Sequence, residues 1–226
     1  MNTKKIIVFL GAPGSGKGAL SRLCVENFGW KQLSTGNLCR KHRSEGTELG
    51  KQIDFALKSG TLVSDQVIID IAAQWIDQEI KSAPGIILDG FPRTVVQGEG
   101  FLTFLATQKP DIRLVIIELR VPDHEIIERL STRVVCTNKS CQAVFSSRTD
   151  GLMPKEAGTC DQCGSLLMQR DDDRPEVISA RLITYHQHRD SLVNFYKNTG
   201  YVVHVIDGNR GNAEVFESFL NHVSGT

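Results

Sequence analysis

Eight residues near the N-terminus, Gly11-Ala-Pro-Gly-Ser-Gly-Lys17-Gly18, have the types and spacing to hold a polyphosphate. The glycines let the backbone turn successive N–H groups inward as an anion nest. A helix starting just after them adds positive potential. Gly14, Ser15, Gly16 and Gly18 form the cradle, and Lys17 reaches the outer phosphates. The bland alternative is a Gly-rich turn that binds nothing, but the apolar run before the loop and the helical stretch after it favour the nest. The general motif closes on Ser or Thr, whose hydroxyl binds Mg²⁺; here Gly18 and then Ala19 follow Lys17, so the loop offers no hydroxyl. Asp89 ends another apolar run, where a carboxylate holding Mg²⁺ through water belongs. A turn aspartate capping the next segment is the alternative reading.

Transfer of a phosphoryl group to an acceptor that is itself a phosphate needs no general base. The task is to hold two polyanions in line and neutralise them. Arginine suits it, because its planar fork meets phosphate oxygens two at a time. Arg40, Arg93, Arg129, Arg133, Arg170 and Arg181 are the candidates. Each alone reads as a solvated surface residue, and they gain meaning as a set. Arg129 and Arg133 are four apart and share one helix face. Arg93 follows a strand in Asp89-Gly-Phe-Pro-Arg93, at the end where parallel sheets bind ligands.

Four cysteines fall in two pairs, Cys136-x4-Cys141 and Cys160-x2-Cys163, with 18 residues between the pairs. Two cysteine pairs on two turns are the pattern of a zinc ribbon, in which four thiolates close a tetrahedron and the metal is structural. Zinc would replace the core that so short a segment cannot build. Free thiols and disulfides are the alternatives. Cys24 and Cys39 stand apart on helical stretches and read as packing residues.

The elements that must position these groups are legible in outline. Apolar runs at Ile6–Leu10, Trp30–Leu33, Ile86–Leu88, Leu114–Leu119 and Tyr201–Ile206 predict five strands. The first, fourth and fifth are nearly continuous and β-branched, as strands buried on both faces are. Helical patterns at Lys17–Phe28, Ser64–Ile80, Thr94–Ala106 and Asp123–Arg133 lie between them, which predicts an α/β doubly wound parallel sheet. Ser34–Val63 and Val134–Asp173 break the rhythm and read as insertions. A long helix is expected from Asp173-Arg174-Pro175-Glu176, with Asp173 as its cap and Glu176 reaching back. The 226 residues carry 26 basic and 26 acidic groups. That balance speaks against a protein living on nucleic acid or an anionic membrane, and no apolar stretch is long enough to span a bilayer. The short run at Ile6–Leu10 ends in the Gly-rich loop without a cleavage site, so a cytoplasmic protein with reduced thiols is expected.

Taken together, these motifs resemble the adenylate kinases, in particular the long bacterial type with a metal-bearing lid, over nearly the whole chain. The resemblance rests on Gly11–Gly18, Ser34-Thr-Gly36 with Arg40, Gly60-Thr-Leu-Val-Ser-Asp65, Asp89-Gly-Phe-Pro-Arg93 with Gln97, the arginines at 129, 133, 170 and 181, and Asp172-Asp173. It implies a P-loop core of residues 1–33, 64–133 and 174–226, an AMP-binding insertion of residues 34–63 and a zinc-ribbon-like lid of residues 134–173. It implies the reversible reaction of ATP and AMP to two ADP, with Mg²⁺ accompanying ATP and structural Zn²⁺ on the cysteines. Lys17, Arg93, Arg129, Arg133, Arg170 and Arg181 would be catalytic. ATP would meet Gly14–Ala19, Arg129, Arg133, Val144, Phe145 and Arg210; AMP would meet Thr35, Gly36, Arg40, Thr61, Leu62, Val63, Gly90, Arg93, Gln97, Arg170 and Arg181. Phe145 serves packing equally well, and Thr35 and Gln97 read alternatively as a helix cap and a surface residue. Thr35 and Gln97 accompany adenine in the family. Asn37 stands where an Asp is usual and Ala19 where a Thr is usual, which bears on Mg²⁺ handling. The resemblance further implies a monomer whose lid closes to exclude water from the transfer. A kinase for UMP, CMP or GMP, or one using GTP as donor, is the rival enzyme; a zinc-ribbon nucleic-acid-binding module is the rival of another class.

Overall fold

Five of the six residues of Lys-Ile-Ile-Val-Phe-Leu, Lys5–Leu10, are buried, a pattern that only a strand covered on both faces allows. The computed structural model describes residues 4–39, 46–48, 50, 51, 53, 64–108, 111–138, 140, 141, 143–147 and 152–223. In chain order its named elements are β1 (Lys5–Leu10), α1 (Lys17–Phe28), β2 (Lys31–Ser34), α2 (Asp65–Glu79), β3 (Gly85–Asp89), α3 (Val95–Gln108), β4 (Arg113–Arg120), α4 (Asp123–Ser131), β5 (Arg133–Cys136), β6 (Val144–Ser146), β7 (Leu167–Met168), a 3-10 turn (Asp171–Asp173), α5 (Pro175–Asn198), β8 (Val203–Asp207) and α6 (Asn212–Val223). Residues 35–39 are helical too.

By the density of its internal packing the chain divides into two compact units. One comprises Met1–Gly11, Gly16–Arg120 and Gln187–Thr226; the other comprises Ala12–Ser15 and Val121–His186.

The first unit holds a parallel five-stranded sheet in the order β2-β3-β1-β4-β8. The strand order reverses at β1, whose carboxyl end is therefore the switch point where such sheets take their ligands. Alternate residues of β1 feed two cores. Ile6, Val8 and Leu10 pack with Ile69, Ala72 and Ile76 of α2, Phe101 and Leu105 of α3, and Leu192 and Tyr196 of α5. Ile7 and Phe9 pack with Leu20 and Cys24 of α1 and with Val215, Phe219 and Val223 of α6. Cys24 is thus a packing residue, as expected. Two lysines pin helix ends to β1: Lys4 Nζ donates to Ile80 O and, at 2.9 Å, to Lys81 O, and Lys5 Nζ donates to Val223 O at 2.9 Å. A cation at a helix C-terminus satisfies carbonyls that have no partner within the helix.

The second unit has two small cores. Ile126 and Leu130 of α4 pack with Ala12, Ile178 and Leu182. Cys136, Ala143 and Cys160 form the other, beside the antiparallel sheet β6-β5-β7. The long helix begins at Pro175, where proline's fixed φ suits the first helical position, and Ile178 N donates to Arg174 O. Asp173 does not cap it. It lies in the 3-10 turn, fully buried, with its carboxylate given to an arginine. Among the described residues no helix is long and apolar enough to cross a membrane.

Candidate functional site

The phosphate loop has the backbone its glycines permit. Gly11, Gly14 and Gly16 take φ of 140°, 83° and 97°, which a residue with Cβ rarely adopts. A methyl at Gly14 would also lie 2.9 Å from Leu130 Cγ. Gly16 is the N-cap of α1, and no side chain caps that helix. Its first-turn N–H groups thus suit an anion. Lys17 opens the helix, and its Nζ donates to Gly11 O at 2.8 Å. Asp89, at the carboxyl end of β3, accepts from Gln32 Nε2 at 3.3 Å. A Cβ at Gly18 would stand 3.9 Å from Asp89 Oδ2, so α1 begins beside the carboxylate that the sequence marks for Mg²⁺. Ala19 follows on the same turn. Asn37 N donates weakly to Ser34 Oγ, at 3.4 Å.

A second constellation gathers at the same end of the sheet. Gly90 follows β3 at φ 80°, and its carbonyl accepts from Thr35 Oγ1 at 2.7 Å and from Arg93 Nε at 2.8 Å. A Cβ on Gly90 would meet Arg93 Nη2 and Thr35 Oγ1, each at 2.9 Å. Only glycine fits, and that fit places Thr35 and Arg93 together. Gln97 lies one turn into α3 and is buried, so it is not the surface residue that the alternative reading made it. Its Oε1 accepts from Arg93 N at 2.8 Å, and its own N–H donates to Thr94 Oγ1 at 3.2 Å. Thr94-x-x-Gln97 is thus a capping box whose glutamine reaches one residue further back than usual. Gln97 Nε2 donates to Asp65 Oδ1 at 2.8 Å, and Thr94 Oγ1 donates to Asp65 Oδ2 at 3.1 Å. Gly36 lies on the helical turn after Thr35. Arg40, Thr61, Leu62 and Val63 lie outside the described residues.

In the second unit Arg133 and Arg181 converge on one carboxylate. Arg133 forms a two-pronged pair with Asp173, Nε to Oδ2 at 2.8 Å and Nη2 to Oδ1 at 2.6 Å. Arg181 Nη1 donates to Asp172 O at 2.7 Å and stands 3.4 Å from both Asp173 Oδ1 and Asp172 Oδ2. Arg129 sits in the last turn of α4, but the helix ends at Ser131 and Arg133 opens β5, so the two do not share a helix face as their spacing predicted; Arg170 precedes the 3-10 turn, with its carbonyl accepting from Asp173 N.

The four cysteines meet. Their sulfurs all lie within 4.8 Å of one another, with Cys136 Sγ 3.4 Å from Cys163 Sγ and Cys141 Sγ 3.7 Å from Cys160 Sγ. A Zn–S bond of about 2.3 Å in a tetrahedron puts sulfurs about 3.8 Å apart, so the set fits zinc. A knuckle supports the second pair: Cys160 N donates to Ser165 O and Gly164 N donates to Cys160 O, both at 2.8 Å. The Ser165 hydroxyl, then its N–H, pull the Cys163 thiol down to about 6, whereas burial pushes Cys136 up to about 12. Phe145 packs against this cluster, and Val144 precedes it on β6. In the first unit Arg210 follows β8, with Nε 3.4 Å from Asp207 Oδ2.

Two carboxylates here escape sequence reasoning as partners. Thr94-x-x-Gln97 was readable as a capping box, but nothing local pointed from Gln97 to Asp65, 32 residues away. The same holds for Asp173 and Arg133, 40 residues apart.

The chain matches the adenylate kinase family model over residues 9–201. An adenylate kinase of Caldicellulosiruptor saccharolyticus is 39% identical over 199 residues, 87% of this chain and 89% of that protein. One of Archaeoglobus fulgidus is 37% identical over 204 residues, 90% of this chain and 91% of that protein. One of Rhizobium etli is 40% identical over 195 residues, 86% of this chain and 88% of that protein.

Proposed function

The chain belongs to the adenylate kinase family, and from that membership we infer that it is a phosphotransferase converting ATP and AMP reversibly into two ADP. The observation that carries the adenine reading is the constellation of Thr35, Gly90, Arg93 and Gln97 at the carboxyl end of β3.

In this reading the loop Gly14–Ala19 and Lys17 hold the ATP phosphates, with Arg129 and Arg133 as further phosphate ligands. Val144, Phe145 and Arg210 lie against the ATP base. Thr35, Gly36 and Gln97 meet the AMP base, together with residues 61–63. Arg40, Arg93, Arg170 and Arg181 bind the AMP phosphate and the group in transfer. The proposed parts are a core of residues 1–33, 64–133 and 174–226, an AMP-binding insertion of residues 34–63 and a lid of residues 134–173. Mg²⁺ bound with ATP would neutralise the outer phosphates, and Asp89 would hold it through water. Since Gly18 and Ala19 bring no hydroxyl, Asp89 carries that role alone among these residues. Cys136, Cys141, Cys160 and Cys163 would hold a structural zinc. The reading includes a cytoplasmic monomer; a reducing compartment suits the four thiols of a zinc site.

A coupled assay across AMP, UMP, CMP and GMP as acceptors and ATP and GTP as donors tests the reaction. The expected result is a strong preference for the ATP and AMP pair; equal or better turnover with another pair would refute it. Lys17→Met should lower kcat by about 10² to 10³, as loss of one preorganised donor to developing charge does. Near-normal turnover in that variant would remove the loop from the mechanism.

A further inference from the structure

An amide side chain is ambiguous by nature. Turning the end of Gln97 by half a turn exchanges its oxygen for its nitrogen and inverts what it reads. The two faces of a purine differ in the same sense. A 6-amino purine donates from its N6 and accepts at N1, whereas a 6-oxo purine accepts at O6 and donates from N1. A glutamine facing this edge discriminates between them only if something outside the ligand decides which way the amide points.

In this protein two groups decide it, and neither can change its mind. Arg93 N–H is a donor only, and it points at Oε1 from 2.8 Å. The Asp65 carboxylate is an acceptor only, and Oδ1 takes Nε2 at 2.8 Å. The inverted amide would set oxygen against carboxylate and N–H against N–H. Because both partners are fixed in character, their chemistry sets the orientation of the amide. Asp65 is itself held: its other oxygen accepts from Thr94 Oγ1 at 3.1 Å. Gln97 is buried, so water does not relax the penalty. Each end of the amide keeps one more hydrogen or lone pair for a ligand.

The capping box explains only half of this. It requires Thr94 and the oxygen of Gln97, and it would stand without Asp65. The bond from Nε2 to a charged acceptor in another helix is an additional device. We propose that Asp65 is a positioning residue for base choice: it locks the Gln97 amide in the one orientation that reads a 6-amino purine monophosphate. This rests on the reading that Gln97 meets the AMP base.

The test is the ratio of kcat/KM for AMP to that for inosine monophosphate, the 6-oxo analogue, with ATP as donor. Asp65→Asn keeps the shape but can present either oxygen or N–H to Gln97. The variant should lose about tenfold in this ratio, since a hydrogen bond to a charged group biases the amide by about that factor or more. The loss should come mainly through KM, with KM for inosine monophosphate falling. Asp65→Ser, which keeps a helix-starting side chain, should also lower the ratio and serves if the Asn variant fails to fold. A ratio unchanged in folded variants, with only the melting temperature lowered, would overturn the proposal and reduce Asp65 to a structural acid. Gln97→Ala separates the two levels. If it collapses the ratio while Asp65 variants do not, the lock is refuted and the base site stands. If it leaves the ratio intact, the base is read elsewhere and both fall.

Discussion

Asp173 is fully buried, and it holds Arg133 by two hydrogen bonds of 2.8 and 2.6 Å while Arg181 stands 3.4 Å away. Replacing it with Ala removes the acceptor but leaves the guanidinium of Arg133, which is 17% exposed, with no carboxylate of equal geometry. Breaking a buried ion pair by removing one partner costs about 3 to 5 kcal/mol. Arg133 keeps some access to water, which argues for the lower end, about 3 kcal/mol. For a chain of this size each kcal/mol lowers Tm by about 2 to 4 °C, so the loss should be about 6 to 12 °C. Asp173→Asn should cost less, because it keeps one acceptor. Activity should fall too, since Arg133 and Arg181 lose the group that aims them. A misplacement of this kind costs up to about 10² in kcat/KM. Thermal unfolding and coupled kinetics on Asp173→Ala, Arg133→Ala and the double variant would measure the coupling directly. Additive losses in the double variant, or a Tm within about 1 °C of the parent for Asp173→Ala, would refute the argument.

A chelator strong enough to strip zinc, or Cys160→Ser, should lower Tm, with about one zinc per chain released; a metal-free protein that melts unchanged would sink the structural role. Tyr196 is fully buried, and among the described residues its hydroxyl has no hydrogen-bond partner. Tyr196→Phe should therefore stabilise by about 1 kcal/mol, seen as a higher Tm, and a lower Tm would contradict the assignment. Burial, then His222 and Arg113 beside it, holds the His204 imidazole below its usual 6.5. The unfolded chain binds this proton more readily, so the stability from His204 is full above pH 6.5 and is lost as pH falls through the folded value. Melts from about pH 7.5 to about pH 5 should show a shallower acid loss for His204→Asn than for the parent; parallel curves would disprove the contribution.

What the sequence carried is what local pattern can carry. β1 and β4 were legible because strands buried on both faces need nearly continuous apolar runs, interrupted in β4 by Glu118, and the phosphate loop because its glycines are demanded by the backbone itself. The cysteine pairs announced their convergence by spacing alone. β2 was read as Trp30–Leu33 and runs Lys31–Ser34, because Trp30 is an apolar residue of the core rather than of the ladder. The cap of α5, not its start at Pro175, was misread, for a different reason. Asp173 has the type and place of a helix cap, yet an arginine 40 residues back in the chain claims its carboxylate. No window along the sequence contains that fact. Gln97 shows the same limit, since its amide is oriented by a residue in another helix.

The buried pairs show how the chain holds its arginines. A protein built to handle polyanions would gain raw affinity from unopposed arginines, but an unopposed guanidinium on a long stem explores many rotamers and loses entropy when it binds. A buried carboxylate fixes the stem beforehand. Asp173 does so for Arg133 and Arg181, and Glu118, fully buried on β4, accepts from Arg189 Nε at 2.6 Å and from Arg120 Nε at 3.0 Å. Asp173 weakens the Coulombic pull of its arginines on a phosphate while sharpening the position from which they act. Asp65 extends the device from charge to base identity, since an obligatory acceptor disciplines an amide as it disciplines a guanidinium. Transfer between two nucleotides is limited by alignment more than by attraction. A chain that gives its arginines buried acidic partners is therefore built for alignment.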